Sequence, residues 1–522
     1  MQVFGELPGF GMMSYPKIAP IDVPIPAERQ SARRHYGVHP YFTRRPHNVV
    51  RSYILRYTRE KDVVVDPFGG SGVTAIEAWL ENRVGVQNDI NPLANFIAEG
   101  VVNLSRGSIR DYTKALSALR ERCERKLLAV ERMSPAELEV LRQDLKMPRN
   151  IRLPRSSDVL FYHELFSPHQ LASLALLKDA IDGISPSWLR RGMLLAWSAT
   201  LAKVNKTFLS AEGRAESRGG SSIFSIYRYK VAKMPVELPV WQTFEERFSN
   251  VIAAKAEIDK TIEVKQRTTG WYGKFESYAE DIDALARRLK SQADYIFTDP
   301  PYGGHISYLD LSTLWNCWLD QMPSDSARGR ELIVGGELAI QESSYVRRLG
   351  DAVTGCLSML KKDRWMSVVF QHWNPAYFEA ILSSAASEGA ELRTAISQIG
   401  DPIWSMHKKK GSESVLAGEM ILTFIKSGRR TLTPVSNDFD VSDAVKRVLS
   451  EVEGNEIYGE LLFNKIIIAA WREGAIRSLG IAKSDFIHLI KKNGWHYDAS
   501  RHCWARGLAR GEASLFADAE YQ

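Results

Sequence analysis

"KDVVVDPFGGSGVTAIEAWLENRVGVQNDINP", Lys61 to Pro92, decides the fold. Three consecutive valines, Val63 to Val65, run as a buried strand into Asp66. A turn carrying Gly69, Gly70 and Gly72 follows, and a helix begins near Val73. A second strand then ends at Asp89. Strand, helix and strand in about 30 residues make one parallel unit with a crossover helix. Glycines in such a turn let the backbone approach a ligand and leave helix N-terminal amides free. A phosphate-cradling loop would need Gly-Lys-Ser/Thr, but Gly72 is followed by Val73 and Thr74. A dinucleotide fingerprint would need its glycines straight after the strand, but Asp66, Pro67 and Phe68 intervene. Asp89 stands at the next strand end, where a carboxylate takes a ribose hydroxyl pair. The pattern predicts a nucleoside ligand without a pyrophosphate.

Outward from this unit, residues 1–32 are Pro-rich and aperiodic and read as an arm. "NVVRSYILRYT" (Asn48–Thr58) has helical spacing. Residues 105–269 are mostly amphipathic helix, broken by a stretch from Asn205 to Pro235 that is rich in Gly, Ser and basic residues. Alternation then resumes: strand at "ADYIFTD", helix at "SSYVRRLGDAVTGCLSMLK", strand at "RWMSVVFQH", helix at "AYFEAILSSAASEG", strand at "GEMILTFIKSG". This is the pattern of an α/β doubly wound sheet, residues 33–104 and 270–430, carrying a helical insertion at 105–269. The tail, 431–522, has helical segments and a hairpin pattern, "WHYDASRHCWARG". It reads either as a winged-helix shape or as a helical packing module.

The 522 residues suffice for several domains; 44% are hydrophobic and 25% charged, as in an ordinary globular protein. No apolar run approaches a membrane span and no signal peptide is evident, so a cytoplasmic location without membrane association is expected. The four cysteines (Cys123, Cys317, Cys356, Cys503) lack paired spacing, which argues against disulfides and a zinc site. His35 and His39 are four apart, but Gly37 and Pro40 disfavour a helix there, so no metal is expected. The net charge of +6 permits a polyanionic partner without requiring one.

"ADYIFTDPPYGGHISYLD" (Ala293–Asp310) carries the chemistry. A core strand ends in Asp299, two prolines and Tyr302. An aromatic exocyclic amine attacks poorly because its lone pair is delocalised into the ring. Two acceptors on its N–H groups, the Asp299 carboxylate and the Pro300 carbonyl, would push the nitrogen toward tetrahedral geometry. Pro300 and Pro301 fix the turn, and Tyr302 would stack on the base.

"DPFGGSG" followed by "DPPYG" resembles the AdoMet-dependent amino-methyltransferases that methylate adenine-N6 or cytosine-N4 in DNA. The resemblance implies a Rossmann-like sheet, mostly parallel with one reversed edge strand, and AdoMet as cofactor. It implies that Asp66, Pro67, Phe68, Gly69, Gly70, Ser71 and Gly72 meet the methionine part of AdoMet, and that Asp89, with Asn91 beside it, meets the ribose. Asp281, in "YAEDIDAL", takes the adenine amino group by resemblance, with Glu280 and Asp283 as competitors. "HPYFTRRPHNVV", beginning at His39, resembles the motif that closes over the methionine end. The family's Asp-Pro-Pro-Tyr usually marks adenine and Ser-Pro-Pro-Tyr cytosine, so Asp299 implies adenine. Carbon-5 methylation needs a cysteine after a proline, and none of the four follows one. The 105–269 insertion lies between the second and third cofactor motifs and departs from the usual family permutations, so target recognition is not carried over.

Double-stranded DNA is the expected partner, with restriction or defence proteins as further ones. A paired, stacked base must be flipped out to reach a pocket. "RAESRGGSSIFSIYRYKVAK" interleaves Arg214, Arg218, Arg228, Lys230 and Lys233 with Phe224, Tyr227 and Tyr229, which suits phosphates and splayed bases. Arg44, Arg45 and "HKKKG" (His407–Gly411) are further phosphate candidates, and His305 is read as loop structure or a base contact. The rival functions are cytosine-N4 methylation, RNA guanine-N2 methylation and a catalytically silent DNA-binding subunit.

Overall fold

The computed structural model describes residues 14–29, 32–209, 220–304, 306–398, 419–429, 440–457, 459–476, 479, 483–498 and 503–507. Its centre is a seven-stranded sheet. The strands are β1 (Val63–Asp66), β2 (Val84–Asn88), β3 (Lys274–Tyr278), β4 (Ala293–Thr298), β5 (Leu360–Phe370), β6 (Ala390–Gln398) and β7 (Glu419–Lys426). They run in the order β3-β2-β1-β4-β5-β7-β6. β3, β2, β1, β4 and β5 are mutually parallel, and β7 is antiparallel to both neighbours. The reversed strand therefore lies second from the edge rather than at it, because β6 pairs outside it. This is a Rossmann-like α/β fold.

The helices that matter are α1 (His47–Tyr57), α2 (Val73–Leu80), α3 (Pro92–Asn103), α4 (Ile109–Val130), α5 (Pro168–Asp182), α6 (Ser187–Thr200), α7 (Val240–Thr268), α8 (Ile282–Arg288), α9 (Glu342–Met359) and α10 (Pro375–Ser387). Local chemistry fixes several starts. Asn91 caps α3 with Pro92 in its first turn. Ser108 with Asp111, and Ser167 with Gln170, form reciprocal capping boxes on α4 and α5.

Because strand side chains alternate between faces, the sheet divides its core in two. Val64, Tyr295 and Phe297 join one apolar cluster, which also holds α1 to α3 and the inserted helices. Val65, Ile296 and Phe370 join the other, with α9, α10 and the C-terminal segment. The 105–269 insertion thus extends the first core, with one small cluster of its own around Val130, Leu138 and Ala172. Its α6 packs on α3, and the Trp315 indole N–H donates to Ser198 O at 3.0 Å. The arm is laced to the sheet as well: Trp365 Nε1 donates to Tyr15 O, and Gln398 Oε1 accepts from Ile25 N. Among the described residues no helix is long and apolar enough to cross a membrane.

Candidate active site

The parallel strands β1, β2 and β4 end together in carboxylates, and the turns after them enclose a cavity of about 420 Å³. That volume suits a small-molecule ligand. It is lined by the turn residues Asp66 to Ser71, by Asp89 to Asn91, by Glu280 to Asp283, and by Asp299 and Pro301. Tyr41, Thr43, Arg44, Arg45, Tyr308, Arg330 and Glu331 complete much of the wall. The β1 turn and the Asp-Pro-Pro turn, far apart in the chain, therefore share one chamber.

The first turn is held from within. Asp66 is buried and accepts from Thr74 Oγ1 (2.7 Å), Thr298 Oγ1 (2.9 Å) and Phe68 N (3.2 Å). Burial outweighs those bonds and pushes its pKa up to about 7. Gln87 Nε2 donates to Gly70 O at 3.0 Å, and Asp89 Oδ2 accepts the Gly70 amide at 2.9 Å. Gly69 leaves no room for a side chain: a Cβ there would meet Gln87 Oε1 at 2.1 Å. Gly70 adopts φ 50° beneath Tyr41, and Gly72 adopts φ 89° as the residue capping α2. Gly72 itself does not line the cavity, since it packs on Ala98.

At the β2 end, Asp89 Oδ1 also accepts the Asn91 amide at 2.8 Å, and burial raises its pKa to about 6. Asn91 lines the wall, but its side chain bonds Ser312 Oγ, Asn316 Nδ2 and the Leu93 amide. Beyond β3, Asp281 and Glu280 differ in their partners. Asp281 caps α8 through Ala284 N at 3.0 Å and pairs with Arg330. Burial works against its charge, but those partners bring its pKa below the ordinary carboxylate range. Glu280 Oε1 pairs with Arg288 Nη2 at 2.6 Å, whereas its Oε2 is buried and makes no hydrogen bond.

The Asp299 carboxylate has the same asymmetry. Its Oδ2 receives Arg45 Nε at 2.5 Å, and its Oδ1 is buried without a hydrogen bond. Arg45 Nη2 also donates to the Tyr302 hydroxyl at 2.7 Å, and Nη1 pairs with Glu419. Burial disfavours the guanidinium charge, but Asp299 beside it keeps its pKa above the ordinary value. The Tyr302 ring packs edge-on to Phe370, 5.2 Å between centroids. Pro300 is buried, and neither it nor Tyr302 lines the cavity.

Several expectations are corrected here. His39 does not reach the cavity: its Nε2 meets Ser198 Oγ at 3.0 Å, and burial pushes its pKa down to about 3. Arg44 and Arg45 are not surface phosphate ligands. Arg44 is half-buried against the turn, donating to Ser71 Oγ at 2.8 Å, and Arg45 is held by Asp299. In the basic stretch, Phe224 packs between Phe42 and Trp315, and the buried Tyr229 donates to Leu311 O, so these aromatics are core. Arg228 pairs with Asp158, while Lys230 and Lys233 are exposed. Arg214, Arg218, His305 and His407–Gly411 lie outside the described residues. Sequence reasoning missed Tyr41, Gln87, Arg330 and Glu331. A polar Gln87 inside an apolar strand was a usable signal; Arg330 and Glu331 gave none.

Residues 19–97 match a family model described as DNA methylase, of the N6/N4 class. The Type II methyltransferase M.MjaII of Methanocaldococcus jannaschii is 20% identical over 411 residues, 68% of this chain and 75% of that protein. Both similarities point to the N6/N4 DNA methylases. A solved structure titled as an antibiotic-related methyltransferase is 15% identical, covers 33% of this chain and 70% of its own, and superposes with a TM-score of 0.17. The methyltransferase similarity implies AdoMet as the methyl donor. The chamber fits such a ligand. Eight acidic side chains line it with five guanidiniums, and one carboxylate oxygen each on Glu280 and Asp299 makes no hydrogen bond, which leaves acceptors for the amino and hydroxyl donors of such a ligand.

Proposed function

We propose that this methylase transfers a methyl group to the exocyclic amine of a flipped-out base in duplex DNA, with adenine-N6 as the acceptor. The observation that carries the reading is Asp299 Oδ1, a buried acceptor without a hydrogen bond on the wall that also contains the glycine turn. AdoMet, when bound, supplies a methyl already activated by its sulfonium. The chain's own residues have three tasks. The turn from Asp66 to Ser71 offers main chain to the cofactor, and Asp89 and Glu280 offer acceptors to its hydroxyl and amino groups. Asp299 Oδ1 accepts an N–H of the target amine and so localises the nitrogen lone pair toward the methyl. Arg45 fixes the carboxylate from its other side, through Oδ2, and leaves Oδ1 free of protein donors.

Extracting a base costs a few kcal/mol, which protein–phosphate and stacking contacts offset. The Asp of the Asp-Pro-Pro-Tyr turn supports adenine over cytosine through the family resemblance. The test is methyl transfer to duplex DNA followed by nucleoside analysis. N6-methyladenine is expected, and N4-methylcytosine would refute the base assignment. Asp299→Ala is expected to lose transfer while still binding AdoMet; undiminished methylation would refute the amine-acceptor role.

A further inference from the structure

The C-terminal segment is not a plain helical packing module. It comprises α11 (Val441–Ser450), β8 (Glu456–Ile457), α12 (Gly459–Arg472), α13 (Lys483–Lys492), β9 (Trp495–Asp498) and β10 (Cys503–Arg506). The strands form an antiparallel sheet in the order β8-β10-β9, with Trp504 paired to Ile457 on one side and Tyr497 on the other. Helix, strand, two helices and a two-stranded wing is the winged form of the helix-turn-helix arrangement, in which the second helix of the pair enters a DNA groove.

The two helices of the pair do different things. On α12, Phe463 stacks on Trp373 at 4.2 Å and 18°, and Asn464 Nδ2 donates to Ser397 Oγ at 2.7 Å. This helix docks the module on the catalytic sheet. On α13, Phe486 and Ile490 are fully buried, and the opposite stripe, Asp485, His488, Lys491 and Lys492, is exposed. Trp373 follows β5, which pairs in parallel with β4 through Thr298 and Val368. Trp373 and Asp299 therefore leave the sheet at the same strand ends, which puts the module's anchor at the end of the sheet that carries the chamber. By contrast, the aromatics of the basic stretch in the insertion are core.

We infer that residues 440–507 form the DNA-reading module of this enzyme, with the outer face of α13 set against the duplex and Lys491 and Lys492 on its phosphates. The inference rests on the DNA methyltransferase reading above. Its test uses the full chain, with duplex affinity measured by titration across a salt series. For Lys491→Gln/Lys492→Gln, the slope of log affinity against log salt should fall by about 1.8, which amounts to about 30-fold weaker binding at 0.15 M salt. Lys491→Glu/Lys492→Glu should weaken binding further. AdoMet affinity should stay unchanged in both, and the exposed pair Lys114→Glu/Lys126→Glu on α4 should bind DNA as the wild type does. A wild-type enzyme that methylates duplex DNA, with both α13 variants retaining its affinity and salt slope, overturns this inference alone. A wild-type chain that neither binds nor methylates duplex DNA overturns the underlying reading as well.

Discussion

Arg45 offers the sharpest test of how the Asp299 carboxylate, proposed to accept from the target amine, is aimed. Its guanidinium spans three groups from different parts of the sheet: Asp299 after β4 at 2.5 Å, the Tyr302 hydroxyl at 2.7 Å, and Glu419 at the start of β7. In Arg45→Ala both hydrogen bonds on the Asp299 side are lost. At the lower end of about 1.5 kcal/mol for each bond made by a charged donor, that is about 3 kcal/mol. If the loss falls on the orientation of Asp299, methyl transfer should drop about 10²-fold in kcat, with the KM for AdoMet changed only a few-fold. Arg45→Lys should recover part of the rate, because an ammonium reaches one carboxylate but cannot bridge three groups. Free guanidinium added to Arg45→Ala should recover part of it too, which a purely structural role would not allow. The assay is steady-state transfer to duplex DNA, with AdoMet affinity measured separately by calorimetry. Wild-type kcat in Arg45→Ala, with AdoMet binding intact, would refute the reasoning.

Three further expectations follow from the chamber wall. Glu280→Gln should weaken AdoMet binding about tenfold or more in calorimetry, because the bare Oε2 becomes an amide, while Asp281→Asn should lower stability more than affinity. Gly69→Ala should reduce both stability and AdoMet affinity by displacing Gln87 from Gly70, at a cost of about 1–3 kcal/mol; in the double variant with Gln87→Ala the two effects should not add, as a denaturation cycle would reveal. Three chamber carboxyls should each take stability from the ligand-free protein as pH rises from 4 to 8, against an opposite contribution from the buried His39 and His47, whose pKa values burial lowers to about 3 and about 4. Burial lifts Asp66 to about 7, Asp89 to about 6 and Glu331 to about 8, so the folded state holds protons that the unfolded chain has released. For Asp66 the interval from 3.8 corresponds to about 4 kcal/mol, and urea midpoints at pH 5 and pH 8 should differ less in Asp66→Asn.

The central strands were legible because both their faces are buried, which leaves unbroken runs such as Val63–Val65 and Tyr295–Phe297. β3 and β6 gave no such signal. They are the two edges of the sheet, half-exposed and written in polar residues, "KFESY" and "AELRTAISQ". The reversed edge strand was implied by the family resemblance, and β6, pairing outside β7, moves it one place inward. The glycine turn and the Asp-Pro-Pro turn were legible because their backbone demands are local. The fates of Arg44, Arg45 and Phe224 were not, since an arginine near a carboxylate and an aromatic near a core are long-range facts.

The acids at the strand ends show where local reading stops. Asp66, Asp89, Asp281, Glu280 and Asp299 follow strands of one sheet and look interchangeable in the sequence. Their hydrogen bonds separate them. Asp66 uses both oxygens on Thr74, Thr298 and Phe68, and so ties β1 to β4. Asp89 accepts two amides and closes the turn, and Asp281 caps a helix and pairs with Arg330. Only Glu280 and Asp299 keep one oxygen buried and bare on the chamber wall, each with its other oxygen held by an arginine. A buried acceptor left without a donor costs about 1–3 kcal/mol. Two such costs in one chamber, each paired with an arginine that fixes the bare oxygen's direction, are what a site tolerates when incoming groups provide the donors.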